Sequence, residues 1–131
     1  MNTPRHDHAA AAPSAAFWTD LENALGAHSV ARDAGIPGKY CTDWSGTPPV
    51  QPLALVRPRT TDAVSALLRV CHQHRVPVVP QGGLTGLAGA AVPVPGCIAV
   101  SMERMNLIED VNARTGLMTV QAGVTLQTVQ E

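Results

Sequence analysis

Apolar residues recur along this chain at two different spacings, and these spacings divide most of it into short helices and strands. From Ser14 to about Gly26 the spacing is helical, and these two residues are typical of the start and the end of a helix. A second helix is predicted from Thr60 or Thr61 to about Arg75, and its apolar stripe is Val64, Leu67, Leu68 and Cys71.

Short apolar runs bounded by glycine and proline predict the strands. They cover residues 53–58, 76–79 and 97–101, followed by a hairpin of 107–111 with 117–122 and a helix that begins near Thr125. Residues 29–52 contain two clusters of glycine and proline and are predicted to be irregular. The order strand, helix, strand over 53–79 indicates a β-α-β unit within an α+β domain.

Composition narrows the function classes. The 131 residues are 45% hydrophobic with a net charge of −1, which argues against a nucleic-acid partner because phosphate-backbone binding needs a basic face. No apolar run approaches the roughly 20 residues of a membrane span. Three cysteines without a signal peptide predict free thiols and a cytoplasmic location. Residues 1–13 are predicted to be a disordered leader with solvated histidines, and His72 and His74 to be a solvated pair.

The candidate chemistry lies in residues 80–93, which hold four of the eleven glycines and follow a predicted strand. Glycine reaches positive φ without steric cost, so successive N–H groups can point into one concavity and an anionic oxygen can approach the backbone. The Thr85 hydroxyl can donate to the same oxygen. This pattern predicts a phosphate-binding loop; the alternative is a glycine-rich turn that binds no ligand.

The position of the only lysine and the spacing of the glycines exclude two well-known phosphate loops. The only lysine of the chain is Lys39, far from the loop in sequence, so a Walker loop is absent. The glycines at 82, 83, 86 and 89 do not have dinucleotide-fingerprint spacing, and Pro93 and Pro95 discourage a following helix. The loop is therefore predicted to bind through backbone donors without a lysine charge, which suits a cofactor pyrophosphate.

The pattern Pro-Gln-Gly-Gly-x-Thr-Gly-x-x-Gly-x-x-Val-Pro at 80–93 resembles the first flavin pyrophosphate loop of the vanillyl-alcohol-oxidase/p-cresol-methylhydroxylase superfamily of FAD enzymes. The likeness covers roughly residues 43–131. It is greatest to the D-2-hydroxyglutarate dehydrogenase and D-lactate dehydrogenase branch, and Gln81 with Val92-Pro93 favours the hydroxyglutarate side over the glycolate oxidase side.

The resemblance implies a set of FAD-binding residues along the pyrophosphate and the edge of the flavin. Gly82, Gly83 and Gly86 would donate backbone N–H groups, and Thr85 a hydroxyl. The whole set is Pro80, Gln81, Gly82, Gly83, Leu84, Thr85, Gly86, Leu87, Gly89 and Val92. Leu84 and Ala90 depart from the superfamily, which usually has Asn, Gly or His at the first position and often a second glycine at the other.

The resemblance also implies a domain plan and a reaction. Residues 14–47 would form an N-terminal helix and an irregular segment, and 48–131 the first subdomain of a PCMH-type FAD-binding domain, truncated here and continued in relatives. The reaction would be oxidation of a D-2-hydroxy acid to the 2-oxo acid, with a separate electron acceptor; no catalytic or metal-binding residue is predicted within this chain, which alone would be inactive. The alternatives are a non-catalytic α+β anion-binding module or a non-functional truncated product.

Residues 43 and 44, an Asp-Trp pair, resemble a feature just ahead of the flavin domain in the hydroxyglutarate branch. Two interpretations of Trp44 are open at this point. Its indole can anchor a loop on the core, or it can take part in substrate binding.

Overall fold

The computed structural model describes residues 12–131, so most of the predicted leader, including His6 and His8, lies outside the described residues. Three helices and six strands follow one another along the chain: α1 (Ala15–Leu25), β1 (Val30–Arg32), β2 (Ala54–Val56), α2 (Thr61–Gln73), β3 (Val78–Gln81), β4 (Ile98–Ser101), β5 (Ile108–Asn112), β6 (Leu117–Val120) and α3 (Leu126–Gln130). Ser14, Thr60 and Thr125 accept a hydrogen bond from the first turns of α1, α2 and α3, as expected of N-caps.

Four strands form one sheet in the order β1-β2-β4-β3. β2, β4 and β3 are parallel, and β1 pairs antiparallel with β2. The strands β2 and β3 of the predicted β-α-β unit are therefore separated by β4, which was not expected. β3 is an edge strand, where Pro80 is tolerated because no neighbour requires its missing N–H.

Apolar residues on the two faces of this sheet belong to two cores. Alternate residues of a strand point to opposite faces, so Val56 and Val100 face the helices while Leu55 and Ala99 face the other side. The helix-side core is Phe17, Leu21, Ala54, Val56, Leu67, Val70, Cys71, Ile98 and Val100. The opposite core is Ile36, Tyr40, Cys41, Leu55 and Ala99.

The second core explains why the prediction of an irregular 29–52 was wrong. This segment contains β1 and two short 3-10 helices, Asp33–Gly35 and Gly38–Cys41, and the second of these places Tyr40 and Cys41 against the sheet; residues 42–52 are irregular, as predicted. A three-residue strand between turns has too few positions for an alternating pattern to be visible in the sequence. The predicted stripe of α2 also needs correction, because Val70 is buried and Leu68 is exposed.

Helix α1 packs against α2 through Phe17 and Leu21. Trp18 lies at the edge of this contact, where the Arg32 guanidinium stacks over its ring at 3.8 Å from the centroid. His74 is not solvated as predicted, because its Nε2 lies 2.7 Å from Asp20 Oδ2 and links the end of α2 to α1. The three cysteines are free and buried, which confirms that prediction, and burial raises the pKa of Cys71 to about 11.

The hairpin of β5 and β6 is a separate two-stranded sheet, as predicted. It joins the body through Gly123, whose N–H donates to the Met105 carbonyl at 2.8 Å. A Cβ at Gly123 would overlap the Met102 carbonyl oxygen, so only glycine permits this approach. None of the helices in residues 12–131 combines the length and the apolar character that crossing a membrane requires.

Candidate cofactor site

The glycine-rich loop leaves the sheet at the carboxyl end of β3, the edge where parallel sheets usually bind their ligands. Among residues 12–131, no acceptor is paired with the backbone N–H groups of residues 82–87. Most of these residues are exposed. A run of unpaired, accessible amides is the arrangement that binds an anion through the backbone.

One wall of a cleft of about 520 Å³ is formed by residues 82–85 of this loop. The facing wall is residues 122–126, the turn that leads from β6 into α3, and Lys39, Tyr40 and Glu103 lie at its edge. Glu103 follows β4, so the ends of two neighbouring parallel strands contribute to the same cleft. Residues 122–126 were not among the predicted site residues, because nothing in their sequence distinguishes them from an ordinary turn.

Glu103 is the centre of the charged groups beside the cleft. It accepts hydrogen bonds from the Tyr40 hydroxyl at 2.6 Å, Lys39 Nζ at 3.3 Å and Arg57 at 3.4 Å. Partial burial acts to raise the pKa of Glu103, but the hydrogen bonds from Tyr40 and Lys39 outweigh it and hold the pKa below the ordinary value. Two cations pair with this one carboxylate; Lys39 lines the cleft together with Glu103, whereas Arg57 does not line it.

Lys39 corrects the prediction that the loop has no lysine charge nearby. It lies 43 residues before Gly82 in sequence, and the fold brings it to the cleft that the loop lines. The second core is responsible, because packing Tyr40 under the sheet places its neighbour at the cleft. Because Lys39 and the loop are far apart in the sequence, the sequence alone did not indicate that they meet at the cleft.

Two of the predicted FAD-binding side chains lie in the interior. Gln81 is 1% exposed, and its Nε2 donates to the carbonyls of Tyr40 at 2.8 Å and Ala91 at 2.9 Å. Val92 is buried as well. These two side chains therefore tie the ends of the loop together, and only their backbone can reach a ligand in the cleft. Pro80, Thr85, Gly86 and Leu87 are exposed, whereas Gly89 is half-buried.

Leu84 has a backbone conformation that explains why glycine or asparagine would suit this position. Its φ is 59°, in the left-handed region that branched and bulky residues rarely adopt. Its side chain packs against the second core, so an apolar contact compensates for the conformation. With Leu84 in place of the residues usual in the superfamily, the chain therefore has a less favourable backbone conformation at this position and gains an apolar contact with the second core.

On its other side the loop borders a groove of about 270 Å³, lined by Lys39, Thr42, Asp43, Trp44, Gly83, Leu84 and Thr85. Trp44 is 71% exposed, so the interpretation that it anchors a loop on the core is wrong. Asp43, its neighbour, is buried beneath the loop. The groove and the cleft share Lys39 and residues 83–85, which separate the two.

The fold is that of a known group of solved structures. An alkyldihydroxyacetonephosphate synthase superposes with a TM-score of 0.77 at 21% identity, over 91% of this chain and 25% of that one. p-Cresol methylhydroxylase with substrate bound gives 0.72 at 21% identity, over 90% of this chain and 24% of that one. At these identities the likeness shows the fold alone, and it confirms the predicted α+β fold of the PCMH type.

Residues 52–131 match the family described as FAD binding domain. The chain therefore belongs to this family, and FAD is the cofactor that the family binds. It is also similar to D-2-hydroxyglutarate dehydrogenase of Xanthomonas citri pv. viticola, with 41% identity over 90 residues, 69% of this chain and 19% of the relative. The glycolate oxidase subunit GlcD of Bacillus subtilis is 37% identical over 89 residues, 66% of this chain and 19% of the relative. The predicted family resemblance is confirmed, and the chain spans about a fifth of the length of these relatives.

The residues of the cleft fit the pyrophosphate part of FAD. A Cβ at Gly82 would meet no other atom within 4 Å, so the space beside this backbone is open. Residues 82–85, whose N–H groups have no partner among residues 12–131, line the cleft, and the Lys39 ammonium at its edge has the charge that complements a diphosphate. The residues that would hold a diphosphate in the cleft are thus Gly82 and Gly83 through their N–H groups and Thr85 through its hydroxyl, whereas Gly86 does not line the cleft.

Proposed function

We propose that this chain is the FAD-binding portion of a flavin-dependent oxidoreductase that oxidises a D-2-hydroxy acid to the 2-oxo acid. The observation that carries the proposal is the run of unpaired amides at 82–87, of which residues 82–85 line a cleft, in a chain whose family is named for FAD. The hydroxy-acid class is supported by the names of the relatives, which include D-2-hydroxyglutarate dehydrogenases and a glycolate oxidase subunit.

Each residue of the loop has a definite task in this proposal. The amides of Gly82 and Gly83 and the hydroxyl of Thr85 bind the diphosphate, because these groups line the cleft and have no competing partner among residues 12–131. Lys39 balances part of the diphosphate charge while it remains paired with Glu103. Bound FAD supplies the acceptor for the hydride of the substrate. Orienting this cofactor is the contribution of the chain, and a second acceptor takes the electrons onward.

FAD binding by the 131-residue chain tests the proposal. We expect a weak complex, with a Kd on the order of 1 mM, and no dehydrogenase activity. The reason is enclosure: binding sites usually cover about 70–90% of a ligand, and the cleft offers two short walls around one part of it. Titration followed by backbone amide NMR should move the signals of Gly82, Gly83 and Gly86.

Gly82→Ala and Gly38→Ala form a matched pair for this titration. A Cβ at either position meets nothing within 4 Å, so neither variant should lose stability. Only the Cβ at residue 82 would occupy the space assigned to the diphosphate, so only this variant should weaken binding. Equal affinities for the pair, or loop signals that FAD leaves unmoved, would contradict FAD binding at this loop. Stoichiometric binding at low micromolar FAD would show that the pocket is complete within these residues.

The substrate class needs the longest natural form of the protein. Anaerobic addition of D-2-hydroxyglutarate or D-lactate should bleach the visible absorbance of its flavin, and the L-enantiomers should not. A flavoprotein that neither D-acid reduces would retain the FAD assignment and overturn the hydroxy-acid class.

A further inference from the structure

Two buried side-chain oxygens within residues 12–131 lack a hydrogen-bond partner, and both lie at the glycine-rich loop. They are Oδ2 of Asp43 and Oε1 of Gln81, in residues that are 7% and 1% exposed. Folded proteins pair nearly all buried polar groups, so each exception needs an explanation. Asp43 Oδ2 lies 3.9 Å from the place where a Cβ of Gly86 would be, which puts this acceptor directly against the loop.

The turn that carries Asp43 is itself well fixed. Oδ1 of Asp43 accepts from the Ser45 N–H at 2.9 Å, and the hydroxyl oxygens of Ser45 and Thr47 lie 2.8 Å apart. Thr47 Oγ1 in turn lies 3.0 Å from the Cβ position of Gly89, whose φ is 75°. Residues 43–47 thus lie against the loop at two points, Gly86 and Gly89.

The chemistry of Asp43 says which groups can satisfy it. Hydrogen bonds from the Ser45 hydroxyl and N–H hold the pKa of Asp43 below its ordinary value, so the group is a carboxylate at neutral pH and accepts only. A diphosphate is likewise an acceptor and cannot pair with it. The donors at hand are the N–H groups of 82–87, which have no partner among the described residues, and the Ala91 N–H at the far end of the loop, which contributes to the lowered pKa of Asp43.

We propose that Asp43 is a positioning residue for the cofactor loop. Its Oδ2 accepts a hydrogen bond from the backbone around Gly86 when the loop closes on the diphosphate, and this holds the remaining amides toward the cleft. The proposal rests on FAD binding at this loop, the proposed function above.

The direction in which one substitution changes FAD affinity distinguishes a positioning role of Asp43 from a simple charge effect. A carboxylate near a diphosphate repels it, so removing the charge alone would strengthen FAD binding. Asp43→Asn keeps the shape and replaces the accepting Oδ2 with a donor or leaves it a weaker acceptor. Positioning therefore predicts the opposite result, weaker binding, because the loop loses its support.

Backbone amide NMR on the 131-residue chain, titrated with FAD, provides the test. Asp43→Asn should raise the Kd about tenfold or more, the loss expected for a hydrogen bond to a charged group. Order parameters of residues 84–88 should fall in the absence of FAD, on the faster timescales that NMR relaxation reports. Ser45→Ala, which keeps the carboxylate and removes one of its supports, should shift both quantities in the same direction by less. Asp33→Asn is the control, an exposed aspartate of the same segment, and its Kd should stay within about twofold of wild type.

The outcomes distinguish this proposal from the proposed function. Loop signals that FAD does not move in the wild-type chain would reject the proposed function and the role of Asp43 with it. Wild-type binding together with unchanged or tighter binding by Asp43→Asn would overturn the role of Asp43 alone. So would weaker binding with unchanged loop order, because Asp43 would then contact the cofactor directly. If Asp43→Asn does not fold, Ser45→Ala decides by the same two measurements.

Discussion

β4 and β5 both contain isoleucine and valine, but they have opposite surroundings. β4 is Ile-Ala-Val-Ser, lies between two parallel strands and is buried at every residue. β5 is Ile-Glu-Asp-Val-Asn, has one neighbour and is exposed at every residue. Apolar β-branched residues favour a strand in both places, but only in β4 do they gain free energy from burial. Strand propensity and strand stability are therefore separate properties in this chain.

Local hydrogen bonds fold the hairpin without a core of its own. Asn112 Oδ1 accepts from the N–H groups of Arg114 and Thr115, at 3.1 and 3.2 Å, and Gly116 follows with a φ of 69°. Such a turn fixes the register of the two strands. An isolated two-stranded sheet is marginally stable in water, so the hairpin should open far more often than the four-stranded sheet.

The first prediction tests this difference in burial by making the same substitution, valine to alanine, once in β4 and once in the hairpin. Val100→Ala removes a side chain that is 1% exposed, and it should lower the free energy of unfolding by about 2–3 kcal/mol through lost burial and a cavity. Val111→Ala, at 59% exposure, should change it by less than about 0.5 kcal/mol. Urea denaturation followed by circular dichroism gives both values. Equal losses would show that the hairpin is buried in solution, for example against a second copy of the chain.

The elements of the fold could be predicted largely from local patterns. The caps of α1 and α2, the strand β4 and the Asn112–Gly116 turn are each encoded within a few residues, and each was predicted to within about three residues. The order of the sheet was not, because nothing in the local sequence of β4 says that it enters between β2 and β3. Likewise β1 is too short to show a pattern, although its pairing with β2 extends the sheet.

Only the glycine-rich part of the candidate site could be predicted from the sequence. The residues of the loop at 82–87 are contiguous in the sequence, and their types alone indicate that the loop can bind an anion. Lys39 and Asp43 come from one earlier segment and Glu103 from the residues after β4, and tertiary packing brings them to the loop. The sequence singled out Asp43 only as part of an Asp-Trp pair, and it did not indicate Lys39 or Glu103, so burial and partner distances were needed to place all three at the site.

The second prediction concerns the point where the loop meets the core. Leu84→Asn should relieve the left-handed backbone at φ 59° and can add one hydrogen bond to FAD, worth about 0.5–1.5 kcal/mol. It also loses the contact with the second core, so the net change in unfolding free energy should be small. We expect FAD binding to be unchanged or up to about tenfold tighter in the NMR titration.

Leu87→Asn is the control for this substitution. Leu87 is an exposed leucine of the same loop, and it has no positive φ to relieve. Its replacement should leave stability unchanged. A clear loss of FAD affinity in Leu84→Asn but not in Leu87→Asn would mean that the apolar packing of Leu84 holds the loop in its binding conformation.

The smallest effect is expected at the charged group between the cleft and the sheet. Glu103→Gln removes the carboxylate that pairs with Lys39 and Arg57, at 3.3 and 3.4 Å. The Glu103 side chain is 34% exposed, so solvent screens these pairs and the loss of stability at pH 7 should be below about 1 kcal/mol. Because the pKa of Glu103 is lowered in the folded chain, its contribution is present above the ordinary value of 4.5 and is lost as the pH falls through the folded value.

Wild type and Glu103→Gln should therefore differ slightly at pH 7 and converge as the pH falls below the lowered pKa of Glu103, where the carboxyl is protonated in both the folded and the unfolded chain. Thermal unfolding across this pH range, at low and at high salt, measures the difference, and high salt should reduce it. Glu22→Gln, which replaces an exposed glutamate on α1, is the control, and its free energy of unfolding at pH 7 should stay within about 0.5 kcal/mol of wild type. A difference that persists at low pH would show that the Gln side chain disturbs Tyr40 and the second core, so packing and not charge would connect Glu103 to the sheet.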